Sequence, residues 1–343
     1  MDSAGGRIAG DVGLYLGDLE VYMRQPGTRQ LPPRAGVGGE MRAVVFREAE
    51  SKFPARAWSK YDLNVTYSRA AQVTYGYLDD FDLFLAEAAA AVSGQDQGTA
   101  TATVPDLAPA SRPDLVGAVI LRCGIKGAGG QAASADRRRM RAVFVEELAR
   151  LVPVKSYGEC ANTAAWVPGR AKDKAWHMRR AKFCVAYENA LDADYVTEKL
   201  YDCLRAGSIP LVSGGAHIRD LAPPGSSIFI DDFASVSALA AHLQALAEDP
   251  VRMAQYHAWI REHSMPGWEA WRDRMRAIEA SAVRCRLCQF VAGMRGGGTE
   301  DWWSAEHLAS VRVQRSRAAA AVGAAEEARR RGLAHASNVR VEL

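Results

Sequence analysis

The chain has 343 residues, of which 48% are hydrophobic, 24% charged and 8% aromatic, the profile of an ordinary globular protein. That length excludes one small core, and two domains of roughly 100–200 residues each are expected. Lys and Arg total 43 against 40 Asp and Glu, a net charge of only +3, which excludes a polybasic protein. Nucleic acid is thereby weakened as a bulk electrostatic partner.

No apolar run approaches the roughly 20 residues that a membrane helix needs. The acidic, Gly-rich start, MDSAGGRIAGDVG, lacks the basic and apolar regions of a signal peptide. The chain as given is expected to be soluble.

Residues 1–40 carry Gly and Pro clusters around Pro32, Pro33, Gly36, Gly38 and Gly39 and read as a loosely ordered lead-in. Met41–Phe46 has strand length, and Tyr61, Leu63, Val65 and Tyr67 alternate with the period of a strand. Leu83–Val92 fits a short strand or a helix, and the small, polar residues of 93–114 form a linker or surface loop. Leu115–Leu121 is a buried-strand pattern. Met140, Val143, Phe144, Leu148 and Leu151 then make a helical stripe.

Further on, Val152–Val154 reads as a strand, Tyr157–Gly158 as a turn, and a polar stretch runs to Arg180. Phe183–Tyr187 is the next strand and Thr197–Ala206 the next helix, closed by Gly207. Ile209–Val212, Ser226–Ile230 and the helix Val236–Ala247 continue the alternation. Such alternation predicts an α/β protein with largely parallel sheets in two Rossmann-like domains. The expected divisions are a lead-in at 1–40, domains at 41–150 and 151–290, and a C-terminal helical tail at 291–343.

Six cysteines do not make a disulfide scaffold in a chain this long. Cys285 and Cys288 form a single C-x-x-C, without the second pair that four-thiolate zinc requires. Cys184 and Cys203 read as buried small hydrophobes, while Cys123 and Cys160 could pair in an oxidising compartment. Asp80-Phe81-Asp82 and Asp192-Ala193-Asp194 have a spacing common by chance and are read as carrying no metal. Asn64-Val65-Thr66 is a glycosylation sequon inside a predicted strand, a poor acceptor position. Trp259, Trp268 and Trp271 read as helical packing.

The stretch most informative for chemistry is Phe183–Gly215. A strand delivers Glu188 and Asn189 to its C-terminal edge, where α/β proteins bind ligands. A helix opens after the next loop with Thr197, Glu198 and Lys199. Its free N–H groups and the Lys199 charge suit a phosphate or diphosphate. Glu188 and Glu198 could accept hydrogen bonds from ribose or sugar hydroxyls. The competing explanation makes Thr197 a simple N-cap and Glu198 a complement to the helix dipole.

These residues resemble the donor-binding signature of the α1,3-fucosyltransferases, glycosyltransferase family 10. The run is Tyr187-Glu188-Asn189, then Asp194-Tyr195-Val196-Thr197-Glu198-Lys199, then Ala206-Gly207-Ser208-Ile209-Pro210. Tyr157-Gly158-Glu159-Cys160 is similar to the family's Tyr-Gly-x-Cys turn, and Glu50-Ser51 to its N-terminal Glu-Ser. Cys285-Arg286-Leu287-Cys288 resembles the ending of the plant-type enzymes that fucosylate the core of Asn-linked glycans. Departures include Leu121-Arg122-Cys123 where the family has Ser-Asn-Cys, and a longer Gly/Ala-rich segment at 124–136.

The resemblance implies a GT-B architecture: two Rossmann-like domains facing a central cleft, the acceptor side at 41–150 with a loop at 93–114, and GDP-fucose at 151–290. It implies an inverting transfer of fucose from GDP-fucose to O3 of a GlcNAc, the innermost one of an N-glycan. Glu50 maps to the base, with Glu48 as the alternative. Lys199 would stabilise departing GDP together with an Arg seven residues before a helical Leu; counted back from Leu148 this is Arg141, with Arg137, Arg138 and Arg139 leaving the register open. Tyr157, Glu188, Asn189, Tyr195, Thr197 and Glu198 map to donor binding, Glu198 on the ribose.

No metal is obligatory by this resemblance, and a divalent cation such as Mn2+ enters only as a stimulant. The implied partners are GDP-fucose and an N-glycan or glycoprotein, without nucleic acid. The implied place is the lumenal side of the Golgi apparatus, held to the membrane by an anchor that this sequence does not contain. If lumenal, Cys285–Cys288 and Cys123 or Cys160 are the disulfide pairs to expect. Three rivals stay open: an antenna-type transferase, a non-catalytic GDP- or glycan-binding relative, and an RNA-binding protein using Arg137–Arg141 and Arg329–Arg331.

Overall fold

The computed structural model describes residues 12–14, 41–46, 63–69, 71, 73–93, 108–121, 132–170 and 173–279. Four strands, β1 (Val12–Leu14), β2 (Met41–Phe46), β3 (Leu63–Thr66) and β4 (Val73–Thr74), pair in chain order, all parallel. Val12 pairs with Met41, and Val65 lies between Val45 and Val73. The lead-in thus contains a strand of the first sheet, a correction to the loose reading of 1–40. Its signal is only three residues long, below the length at which alternation can be read.

Helix α1 (Phe81–Ser93) settles the strand-or-helix ambiguity. Asp80 caps it by accepting from the Leu83 N–H at 2.8 Å. Phe81, Phe84 and Ala88 fall on one face at helical spacing and are buried. That face packs into the core of the second sheet, where Phe84 stacks on Trp259 at 5.8 Å.

The second sheet is built by β5 (Asp114–Ile120), α2 (Ala132–Ala149), β6 (Val154–Gly158), α3 (Lys174–Arg179), β7 (Ala181–Tyr187), α4 (Glu198–Arg205) and β8 (Ile209–Ser213). Then follow α5 (Ile218–Leu221), β9 (Ile228–Phe229), α6 (Val236–Ala247), α7 (Pro250–Gln255) and α8 (Trp268–Ile278). Its five strands run parallel in the order β6-β5-β7-β8-β9. The α/β class and the parallel sheets are as expected.

The expected division at residue 150 is not where the sheets divide. Asp114–Ile120 is an inner strand of the second sheet, bonded to β6 and β7, and α2 packs with it. Its neighbours in space are distant in sequence, and only the hydrogen-bonded ladder reveals its side. Val116, Ala118 and Ile120 are accordingly buried. The stretch from Tyr157 to Arg180 also differs from its sequence reading: Tyr157 and Gly158 end β6, and Asp173 caps the short α3.

Strand alternation divides this core. Phe183, Val185 and Tyr187 face Phe144, Val145 and Leu148 of α2 and Leu239, Leu243 and Leu246 of α6. Cys184 and Ala186 face the other way, toward Leu200 and Tyr201 of α4, Trp271 of α8 and α1. Cys184 and Cys203 meet across this second layer with Cα atoms 5.7 Å apart and form a disulfide. Their reading as buried small hydrophobes holds for the burial, but the two are covalently joined. Cys160 is also disulfide-bonded. Cys123, Cys285 and Cys288 lie outside the described residues, as does the tail at 291–343.

Arg112, 3% exposed, closes the N-terminal edge of the sheet. It donates to the carbonyls of Ala181, Ala206 and Ala91 and to Ser208 Oγ, at 2.8–3.3 Å. Gly207, at φ +64°, makes the turn after α4, and a Cβ there would come within 2.8 Å of the Arg112 guanidinium.

At the opposite edge the strand order reverses. β6 follows β5 on one side, whereas β7 returns on the other, so the C-terminal ends of β5 and β7 flank a topological switch point, where open α/β sheets form ligand crevices. The loop after β3, Tyr67–Arg69, touches the loop after β7 here. The two parallel sheets therefore meet C-terminal edge to C-terminal edge.

Candidate functional site

β7 ends by placing Glu188 beside the switch point, where its N–H donates to the Ser213 carbonyl at the end of β8 at 2.8 Å. The Glu188 carboxylate, 1% exposed, is held by the start of α4. It accepts from the Thr197 N–H at 2.8 Å and from the Thr197 hydroxyl, which lies 2.8 and 2.9 Å from its two oxygens. Thr197 stands at the N-cap position but makes no side-chain cap of its own helix. Its hydroxyl is turned instead to Glu188, nine residues upstream, which also accepts from the Thr197 N–H. The simple N-cap explanation thus fails for Thr197.

Lys199 completes the cluster. Its ammonium donates to Thr197 Oγ1 at 2.7 Å, lies 3.1 Å from Glu188 Oε2 and 3.3 Å from Glu198 Oε1, and leaves 21% of the side chain exposed. Burial opposes its charge, yet Glu188 and Glu198 outweigh that and hold the Lys199 pKa above its ordinary value. Burial likewise works against the Glu198 charge, while Lys199 and the free N–H of Glu198 bring its pKa below the usual carboxylate value. Two carboxylates and an ammonium thus share one hydroxyl-centred network at a helix N-terminus.

Arg141 reaches the same place from α2. It is 7% exposed, its Nη1 lies 3.5 Å from the Tyr187 carbonyl, and its charge acts to lower the Lys199 pKa. Of the four arginines, the side chains of Arg137 and Arg138 lie outside the described residues. Arg141 shares its face with Phe144, Val145 and Leu148, whereas Arg139 is exposed.

The structure therefore brings together Arg141, Glu188, Thr197, Glu198 and Lys199, and Asn189 follows directly, half-buried. Tyr157 is placed differently. Its buried ring packs against His177 at 4.1 Å and Trp166 at 5.1 Å. Tyr195 is 2% exposed and sits edge-on to Tyr67 at 5.1 Å and Tyr77 at 6.0 Å, joining the two sheets. Glu48 and Glu50 follow β2 in the chain and lie outside the described residues.

The Asp192-Ala193-Asp194 spacing, set aside as chance, turns out to hold partners. Asp192 accepts from the Tyr67 hydroxyl at 3.3 Å. Asp194 accepts from the Arg69 N–H and Nε at 2.9 Å and meets His217 Nδ1 at 2.7 Å. Arg69 and His217 carried no sequence signal because these contacts span more than 20 residues. Among the described residues no group of three or more His, Cys, Asp or Glu is placed to hold a metal ion. The sequon at Asn64 lies within β3, with Thr66 fully buried.

A doubly wound sheet carrying cations and a helix N-terminus at its switch point is an arrangement suited to binding a phosphate-bearing ligand. Residues 131–296 match the family model described as "Glycosyltransferase family 10 (fucosyltransferase) C-term". That segment, just under half of the chain, is therefore similar to the C-terminal part of that family. It is similar to an alpha-(1,4)-fucosyltransferase of Arabidopsis thaliana, 32% identical over 171 residues that cover 45% of this chain and 41% of that protein. An alpha-(1,3)-fucosyltransferase 4 of Bos taurus is 33% identical over 155 residues, 43% of this chain and 37% of that protein. The chain thus spans about two fifths of the length of either relative. A crystal structure of an alpha1,3-fucosyltransferase superposes at a TM-score of 0.49 and 15% identity, covering 74% of this chain and 72% of that one.

Proposed function

We propose that this protein transfers fucose from GDP-fucose to O3 of a GlcNAc, the innermost GlcNAc of an N-glycan, with inversion at the fucose C1. The observation that carries the reading is the Glu188–Thr197–Lys199 cluster, with Arg141 beside it, at the switch point inside the matched domain. The acceptor oxygen attacks C1 as the bond from C1 to the phosphate oxygen breaks, and the electron pair leaves on GDP. The departing diphosphate needs positive charge, which Lys199 and Arg141 supply. Glu50, or Glu48, takes the acceptor proton.

Lys199 has three N–H donors, and its three present acceptors use all of them. The Glu198 contact is the longest of these and Glu198 is 46% exposed, so it is the one a diphosphate displaces. Released, Glu198 turns to the ribose hydroxyls, while Glu188 and Thr197 keep Lys199 aimed. Asn189 and Tyr195 line the fucose side, and Tyr157 serves the donor only by packing beneath the sheet edge.

A buried disulfide favours folding in an oxidising compartment, which supports the Golgi lumen as the working place. Among the described residues no helix is long and apolar enough to cross a membrane. The resemblance of the Cys285–Cys288 segment to plant-type enzymes supports the core acceptor. The names of the relatives, alpha-(1,4) and alpha-(1,3), make linkage the quantity to measure.

The test incubates purified protein with GDP-fucose and a GlcNAc-terminated N-glycopeptide, alongside the Lys199→Ala variant. Mass spectrometry with fragmentation locates any added fucose. One fucose on O3 of the innermost GlcNAc, absent with the variant, is the expected result. Fucose on an antenna GlcNAc or at O4 overturns the acceptor assignment. GDP binding without transfer overturns the enzyme reading in favour of a nucleotide-binding relative.

A further inference from the structure

The segment between Glu188 and Thr197 joins two members of the donor cluster, yet it is neither helix nor strand. Its own turns are few: the Tyr195 N–H donates to Asp192 O and the Val196 N–H to Asp194 O, each at 3.0 Å. From the second sheet, His217 donates its N–H to Ala193 O at 2.9 Å. Gly215 lies so close that a Cβ there would fall 2.0 Å from Asp192 O. Further holds come from the His217 ring on Asp194 and from the first sheet, through Tyr67, Tyr77 and Arg69.

Arg69 makes the strongest of these links. Its backbone N–H and its Nε both donate to Asp194, whose side chain is only 9% exposed, and its Nη2 reaches Asp220 at 3.0 Å, just past the start of α5. A carboxylate that buried needs its donors, and Arg69 supplies two of the three around it. One planar guanidinium bridges two carboxylates on different segments of the second sheet. A lysine ammonium on the same stem is a single point charge and does not reproduce that fork.

We propose that Arg69 is a positioning residue for the donor site. By gripping Asp194 and Asp220 from the first sheet it fixes the 189–196 segment, and through it the spacing of Glu188, Thr197 and Lys199. The clamp makes donor binding depend on the docking of the two sheets. Its effect on catalysis rests on the function proposed above; its effect on the segment does not.

Two readouts separate these. Hydrogen exchange compares wild type with Arg69→Met and Asp194→Asn, and amides 189–197 are expected to exchange about tenfold faster in each variant while β7 and β8 stay unchanged. Kinetics with GDP-fucose are expected to show the donor KM rising about tenfold in either variant, with kcat changing less. The double variant should fall clearly short of the sum of the single ones, since the two share the Arg69–Asp194 contact while each also touches one of its own, Arg69–Asp220 or Asp194–His217. Arg69→Lys should restore less than half of the loss. Unchanged exchange in 189–197, or additive losses in the double variant, overturns the clamp. A wild type without transfer or GDP binding overturns the proposed function, and the exchange result still decides on Arg69.

Discussion

Arg112 and Lys199 are cations set at opposite edges of the same five-stranded sheet, and their surroundings differ in kind. At the N-terminal edge Arg112 meets three carbonyls and a hydroxyl, with no carboxylate among those partners. Ala91 lies in the last turn of α1 and Ala206 caps α4, so the negative ends of two helices supply the countercharge. Burial, then Arg179, presses the Arg112 pKa down to about 9, which still leaves it charged at neutral pH. At the C-terminal edge Lys199 faces two carboxylates and keeps an opening to solvent. One cation is spent on joining chain segments. The other is held by groups that a ligand can exchange.

That contrast makes opposite demands on two substitutions. Arg112→Met should cost about 3–5 kcal/mol of stability, because it removes four hydrogen bonds to a charged donor from a buried edge. Denaturant titration measures the loss, and fucose transfer per folded molecule should persist. Lys199→Met should act chiefly on transfer, which falls about 10²–10³-fold, some 3–4 kcal/mol in the transition state. Its stability loss, from a buried Glu188 left with its Thr197 bonds, should be smaller than that of Arg112→Met. A large stability loss at Lys199 together with unaltered turnover would erase the distinction between the two edges.

His257 sharpens the comparison through pH. It is 5% exposed and its Nε2 lies 3.1 Å from Gly207 O, next to Arg112. Burial first and the Arg112 charge second lower its pKa from 6.5 to about 4. Between those values the unfolded chain binds a proton that the native state refuses, so stability falls as pH drops through the window. The full loss is about 3 kcal/mol. Urea titrations from pH 7 to pH 4 should show this slope, and His257→Gln should flatten it. No difference in slope between the two proteins would mean that the Arg112 edge is looser than described.

The cluster at the switch point was legible because it is written almost contiguously: Glu188, Thr197 and Lys199 fall within twelve positions of the strand-loop-helix run. Arg141 was legible only in part. The stripe of residues 141, 144, 145 and 148 places it on the buried face and separates it from the exposed Arg139, but only once the helix phase is anchored on buried positions. The Cys184–Cys203 bridge had a comparable signal, since Cys184 shares a strand face with Ala186 and Cys203 a helix face with Leu200 and Leu204. Arg112, Arg69 and the inner position of β5 left no local trace. Their partners are brought near by the crossing of the chain at the switch point, and no spacing in one sequence encodes that.

The smallest effect tests the hydroxyl between Glu188 and Lys199. Thr197→Val keeps the side-chain shape and the N–H to Glu188 but removes the oxygen that both charges share. Glu188 and Lys199 remain 3.1 Å apart and still attract each other, so the cluster loses one mediating bond and not its charges. Stability should fall by about 1–2 kcal/mol, the cost of a hydrogen bond to charged groups. The donor KM should rise several-fold, because Lys199 loses its 2.7 Å anchor and aims less well at the diphosphate. Thr197→Ser, which restores the hydroxyl, should recover most of both effects. If the serine variant behaves like the valine one, the methyl group and its packing hold this edge, and the exchangeable character assigned to Lys199 must be sought in Arg141 instead.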